Sequence, residues 1–269
     1  MMAAPPRGNV LGVNVTGVDL ATAVELVMDA ARGRHPLGVS ALAVHGVMTA
    51  VKDPTLQSRL NQLEMVLPDG QPVRWALNWL HGIELSDRVA GPDLMREVCK
   101  AASADGLGVF LYGSTDETLE RLQSNLERAV LGLVVSGAKA SRFRPATESE
   151  RDSDLETIRK SGASIVFVGL GCPRQEIWAY ENRLDLSMPV LAVGAAFDYH
   201  AGLLRRAPRW MGSAGLEWAY RLYQEPRRLA GRYLKLNPAF LALLALQKFG
   251  VNRFEGHDRS IAIDQVRPS

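Results

Sequence analysis

This chain of 269 residues has only 2 cysteines. Cys99 and Cys172 lie far apart, without neighbouring ligands at metal spacing, which excludes a disulfide-stapled scaffold and a zinc module. A reducing, cytoplasmic compartment is the simplest reading. No apolar run reaches the roughly 20 residues needed to cross a bilayer, and Met1 to Val15 lacks the apolar core of a signal peptide. The sequence therefore reads as neither integral nor exported by that route. Neither charge sign is in excess, with 31 Lys and Arg against 29 Asp and Glu, so bulk electrostatics nominate no nucleic-acid partner. The glycine patterns are incomplete too: Gly169-x-Gly171 lacks the third glycine of a dinucleotide fingerprint and is not a P-loop. That weighs against an oxidoreductase built on a nucleotide cofactor.

What is present is a strand–turn–helix signal at 164–176. Ser164 to Val168 is short, apolar and rich in β-branched residues, as expected for a strand covered on both faces. Gly169 and Gly171 let the backbone turn and approach a ligand, Pro173 suits a first helical position, and Arg174 and Gln175 follow at a helix N-terminus. An anionic group, most simply a phosphate, fits that arrangement; a strand-to-helix turn without ligand would use the same residues.

Strands are expected at 9–15, 39–44, 64–67, 108–112, 133–136, 165–168 and 190–193. Helices are expected at 21–31, with Thr22 and Glu25 at capping-box spacing, at 45–51, from Asp53-Pro54, and at 92–104, 116–129 and 154–161. This alternation predicts an α/β fold, a Rossmann-like and mostly parallel sheet with helices on both faces. Ligands then bind at the carboxyl edge, where Asp69-Gly70, Gly113-Ser114, Gly169 to Gln175 and Gly194 to Asp198 would share one crevice. Residues 1–200 are assigned to this domain and 201–269 to a basic, aromatic helical appendage. In the appendage Arg205, Arg206, Arg209, Arg221, Arg227, Arg228, Arg232 and Lys235 are interleaved with Trp210, Trp218, Tyr220, Tyr223 and Tyr233. An apolar helix is expected to start at Asn237-Pro238 and to end near Gly250. It is too short to span a bilayer but suited to a membrane surface, or to a second copy of the chain. Deleting Pro238 onward is expected to leave the α/β domain folded.

Pro68-Asp69-Gly70, Asp87-Arg88-Val89-x-Gly91, Val168-Gly169-x-Gly171-x-Pro173-x-Gln175-Glu176, Gly194-x-x-Phe197-Asp198-x-x-x-Gly202, Arg206-Ala207-Pro208-x-Trp210, Glu217-Trp218-x-x-Arg221 and Glu225-Pro226-x-Arg228 stand in the order typical of one family. From about Val10 to about Tyr233 the chain resembles the WecG/TagA/CpsF glycosyltransferases, glycosyltransferase family 26. The resemblance implies a bacterial enzyme at the inner face of the cytoplasmic membrane. Such an enzyme moves N-acetylmannosamine, glucose or a related hexose from a UDP-sugar to a polyprenyl-diphosphate-linked acceptor, with inversion and without a metal or other cofactor, in cell-surface polysaccharide synthesis.

Asp69 is the expected general base, since inversion needs a group to take the acceptor's proton; Pro-Asp-Gly is also a common turn tripeptide. Substrate binding is assigned to His45, Arg88, Gly113, Gly169, Gly171, Gln175 and Asp198, and acceptor or diphosphate binding to Arg206, Arg221, Arg228 and Arg232. Arg88 could equally form a surface salt bridge, and the tail arginines a solvated helix face. The family's Thr-x-Asn at the end of the second strand is absent, the chain reading Ala41-Leu42-Ala43-Val44-His45, so the donor sugar is left open. His45 takes over a polar role there or serves structure. Asp152-Ser153-Asp154 has the form of a metal-holding Asp-x-Asp, but is read as the cap of a helix beginning there. A nucleotide-binding protein without transferase activity and a membrane-docking module with a degenerate site are the alternatives.

Overall fold

A computed structural model describes residues 5–251 and Phe254, without the side chains of residues 209, 213, 228 and 232. The chain opens with a hairpin of β1 (Arg7–Val10) and β2 (Val13–Thr16), antiparallel with Val10 opposite Val13. The sequence pattern suggested one strand across 9–15. Leu11 and Gly12 both take positive φ and turn the chain back. Nothing local marks Leu11 for that conformation; its amide is held by Gln247 Oε1 at 2.9 Å, 236 positions away.

The remainder alternates. Helix α1 (Leu20–Gly33) leads to β3 (Leu37–Leu42), α2 (Val44–Lys52), α3 (Pro54–Asn61), β4 (Met65–Pro68), α4 (Gln71–His81) and α5 (Gly91–Ala104). Then come β5 (Val109–Gly113), α6 (Asp116–Ala129), β6 (Val135–Lys139), α7 (Glu148–Lys160), β7 (Ile165–Gly169), α8 (Arg174–Leu186) and β8 (Pro189–Ala192). The appended helices are α9 (Ala196–His200), α10 (Arg209–Ser213), α11 (Glu217–Gln224) and α12 (Pro226–Lys248). Strands β3 to β8 form one parallel six-stranded sheet ordered β4-β3-β8-β7-β5-β6.

Successive strand residues face opposite sides, so each central strand feeds two cores. Ile165 and Phe167 of β7 join α1, α5 and α6 in one layer, while Val166 and Val168 join α7 and α8 in the other. Helices α6 and α8, leaving the neighbouring strands β5 and β7, thus depart to opposite faces. Their diverging loops open a crevice at the carboxyl edge, as expected where strand order switches direction.

Several boundaries differ from the sequence pattern. Helix α1 is capped by Asp19, whose carboxylate accepts from the Thr22 amide at 2.8 Å, and not by a Thr22–Glu25 box. Helix α4, unanticipated, buries Val73, Ala76 and Leu77 at helical spacing. Strand β6 starts later than 133–136, because Leu133 packs into the core from a loop and Gly137 to Lys139 pair with β5. Helix α7 begins at Glu148, six residues before Asp154, under a complete Thr147–Glu150 capping box. Pro173 precedes α8 as its cap after a cis Cys172–Pro173 peptide.

The largest correction concerns the C-terminal helix. Pro238 does not start it but lies inside the 23 residues of α12. A proline there removes one backbone donor, yet beyond it Phe240 and Leu244 are buried with Val10, Val47 and Leu60, and this packing carries the helix through. Among the described residues, no helix is long and apolar enough to cross a membrane.

Candidate active site

A cavity of about 480 Å³ occupies the carboxyl edge of the sheet. That volume lies within the range of roughly 300–1,000 Å³ usual for ligand pockets. Its walls come from the ends of β3, β4 and β7, the β8–α9 connection, and helices α11 and α12, so the basic appendage forms one side of it. Asp69, Arg88, His45, Gly169, Gly171, Gln175, Asp198 and Arg221 all line it.

Asp69 follows β4 directly, its amide donating to Leu42 O at 3.1 Å. Gly70 then takes φ 145°, outside the conformations of other residues, and α4 begins. The Asp69 carboxyl is pushed above the ordinary carboxylate range by burial; the Arg88 guanidinium, the Gly91 amide and Arg221 oppose that rise without cancelling it. A carboxylate with a raised proton affinity, fixed at a strand end, is suited to accept a proton from a substrate hydroxyl.

Arg88 lies in the loop between α4 and α5 and pairs with Glu217 of α11, both side chains being largely shielded from solvent. The pair forms where the α/β layers meet the appendage. Arg221, one turn further along α11, sits over the Tyr199 ring with its guanidinium carbon 5.7 Å from the ring centroid, and pairs with Glu225 at 3.4 Å. Cations placed beside a buried carboxyl in a partly closed cavity can hold an anion against its own desolvation cost.

The glycine turn has a distinct architecture. At Gly169 a Cβ would come 2.5 Å from the Phe197 ring, so that ring packs on bare backbone. Gly171 takes φ 77° with open space before it. Within the cavity wall, Gln175 Oε1 accepts from the Gly171 amide at 3.1 Å and its Nε2 donates to Glu176 Oε1 at 2.9 Å. These bonds brace the turn. Glu176 is buried, which raises its proton affinity despite hydrogen bonds from Gln175, Cys172 and Ser40. Gly113 lies behind the lining, where a Cβ would meet the Gly169 backbone at 2.7 Å; its place is the contact between β5 and β7.

Arg206 is not among the lining residues. Its guanidinium is held by both carboxylate oxygens of Asp93 at 2.6 Å. The side chains of Arg228 and Arg232 lie outside the described residues. His45 stands in the first turn of α2, and Ala41 and Ala43 line the cavity beside it.

Asp154 neither caps a helix nor faces the cavity. It is 1 % exposed and accepts from Arg142 at 2.6 and 2.9 Å, from Lys139 at 2.5 Å and from the Tyr112 hydroxyl at 2.7 Å. This cluster ties α7 to the end of β6. Among the described residues no group of three or more His, Cys, Asp or Glu is arranged to hold a metal ion.

Sequence reasoning overlooked Tyr199, Glu217 and Tyr233 as lining residues. Glu217 stood inside a recognised pattern, whereas Tyr199 fell on an unassigned position of the Phe197-Asp198 segment. Only the contact of its ring with Arg221 of α11 distinguishes it. The features that surround the cavity are the same segments that follow one another in the family pattern. Residues 8–253 match the model of the Glycosyl transferase WecG/TagA/CpsF family, and with nearly its whole length covered the chain belongs to that family.

Proposed function

We propose that this glycosyltransferase moves a hexose, such as N-acetylmannosamine or glucose, from a UDP-sugar to a polyprenyl-diphosphate-linked acceptor, inverting the anomeric centre without a metal. The observation that carries the reading is the convergence of Asp69, Arg88 and Arg221 on one cavity at the carboxyl edge of the sheet. In this reading the Asp69 carboxylate takes the proton of the acceptor hydroxyl as that oxygen attacks the anomeric carbon. The bond to the UDP oxygen breaks on the opposite face, and Arg88 and Arg221 stabilise the departing diphosphate together with the amides around Gly171. Gln175 keeps that turn in shape. His45, with Ala41 and Ala43, borders the sugar, and Asp198 serves the donor nucleotide.

Apolar exposure supports a membrane-surface location, which in this reading is on the cytoplasmic side. Trp75, Trp79 and Trp210 are 44 %, 47 % and 64 % exposed, and Lys248 Nζ lies 5.5 Å from the Trp79 ring centroid. Leu241 and Phe249 extend this apolar surface along α12. Tryptophans next to cations suit the headgroup region of a lipid surface. The appendage would then close one side of the cavity where the lipid-linked acceptor arrives.

The test is a donor screen with purified enzyme, detergent-solubilised polyprenyl-diphosphate-sugar acceptors, a panel of UDP-sugars and EDTA, reading released UDP. Release with one donor is expected and names the sugar. Absence of UDP binding, checked by thermal stabilisation with NAD as control, overturns the reading.

A further inference from the structure

Five buried side-chain polar atoms among the described residues have no hydrogen-bond partner: Gln71 Oε1, Arg74 Nε, Glu176 Oε2, Tyr199 OH and Arg221 Nε. Folded proteins leave few such atoms, and each one calls for a physical reason. Here four of the five belong to residues lining the same cavity. Unmet hydrogen bonding is thus concentrated on residues that line the cavity.

Two of these atoms are donors on side chains in contact. The Arg221 guanidinium lies over the Tyr199 ring, and both residues interact electrostatically with Asp69. Arg221 Nε can only donate, and the Tyr199 hydroxyl has its proton free to give. Two donors on neighbouring cavity-lining side chains, one permanently cationic, favour an oxygen of an anion over a neutral hydroxyl. Resting on the transferase reading above, we propose that Tyr199 is a substrate-contacting residue whose hydroxyl joins Arg221 Nε in binding a diphosphate oxygen. The diphosphate belongs either to the nucleotide donor or to the lipid-linked acceptor, since both carry that group. The contact under Arg221 is made by the ring of Tyr199, and the hydroxyl makes no hydrogen bond within the protein.

Tyr199→Phe removes that hydroxyl alone. Binding of UDP, inorganic diphosphate and farnesyl diphosphate in detergent is to be measured by calorimetry on wild type and variant, with Tm recorded for both. The variant is expected to bind at least one of these probes about tenfold more weakly, the worth of one hydrogen bond to a charged group. Its Tm should hold or rise, because an unsatisfied buried hydroxyl is gone. Loss confined to UDP assigns the contact to the donor, and loss confined to farnesyl diphosphate assigns it to the acceptor. Unchanged affinity for all three, with wild type binding UDP, overturns the role of Tyr199 alone. A lowered Tm makes the hydroxyl structural and overturns it as well. Failure of wild type to bind any of the three overturns this role together with the transferase reading.

Discussion

Arg88 and Glu217 pair across the cavity although 129 positions separate them in the chain. The contact joins a loop of the α/β layers to α11 of the appendage, and it leaves Arg88 near Asp69, where its charge favours the carboxylate. In the proposed mechanism, stability and chemistry therefore share one residue.

Exchanging the two charges separates those roles. Glu217→Gln should destabilise the fold by about 1–2 kcal/mol, the cost of leaving a shielded guanidinium without its partner. In a double-mutant cycle, Arg88→Glu with Glu217→Arg should recover part of that stability in urea denaturation but not turnover, since no cation then stands at position 88. Full recovery of activity would remove Arg88 from the mechanism.

Asp69→Asn should lower kcat by about 10²–10⁴-fold while UDP affinity stays close to that of wild type. Because burial raises the Asp69 proton affinity, the acidic limb of the wild-type kcat/KM profile should lie above the ordinary carboxylate range. Activity is present when Asp69 is ionised and is lost as pH falls through its raised pKa. A profile flat to pH 4 would exclude Asp69 as the base.

Burial opposes ionisation of Asp154, yet hydrogen bonds from Arg142, Lys139 and Tyr112 outweigh it and hold the carboxyl at about 2. Its contribution to stability is complete above the unfolded value, about 3.9, and disappears as pH falls towards 2. Asp154→Asn should cost about 2–3 kcal/mol at pH 7 in urea denaturation and less at pH 2.5. Asp152→Ala, at an exposed position away from the cavity, should change stability by less than about 0.5 kcal/mol and leave turnover intact.

Phe240 and Leu244 are buried in the core and Gln247 holds Leu11, so removing Pro238 onward also removes core contacts, and that deletion is not a clean test of membrane binding. The membrane proposal is better tested by Leu241→Ser with Phe249→Ser, both side chains being mainly exposed. Partition onto anionic vesicles should fall severalfold with Tm little changed. Unchanged partition would refute a lipid contact along this face.

Burial pushes the Cys99 thiol up to about 12, whereas Cys172 is partly exposed in the cavity wall. A thiol reagent should modify one cysteine rapidly in the folded protein and two in urea, and UDP should slow the first reaction. Protection by NAD but not UDP would speak against the proposed donor.

The fold class followed from the sequence because its signals are local. Ile165 to Val168 reads as a doubly buried strand, Asp53-Pro54 marks a helix start through the capping of nearby amides, and Asp116 and Glu117 mark another in its acidic first turn. The glycine turn and Asp69 were legible for the same reason, as both sit at strand ends whose geometry depends on adjacent residues. The start of α7 was also marked locally, by Thr147 and Glu150, but the acidic pair further along drew the assignment away.

Tertiary structure decided what depends on distant partners. Leu11 turns because Gln247 reaches it, and α12 continues past Pro238 because Phe240 and Leu244 find a core on the other side of the chain. Asp154 became the anchor of an ion cluster, and Gln175 a brace of the glycine turn in the cavity wall, through hydrogen bonds that no spacing rule encodes. Local free energies set which segments form strands and helices. Only their packing fixed which polar groups were left without partners at the cavity.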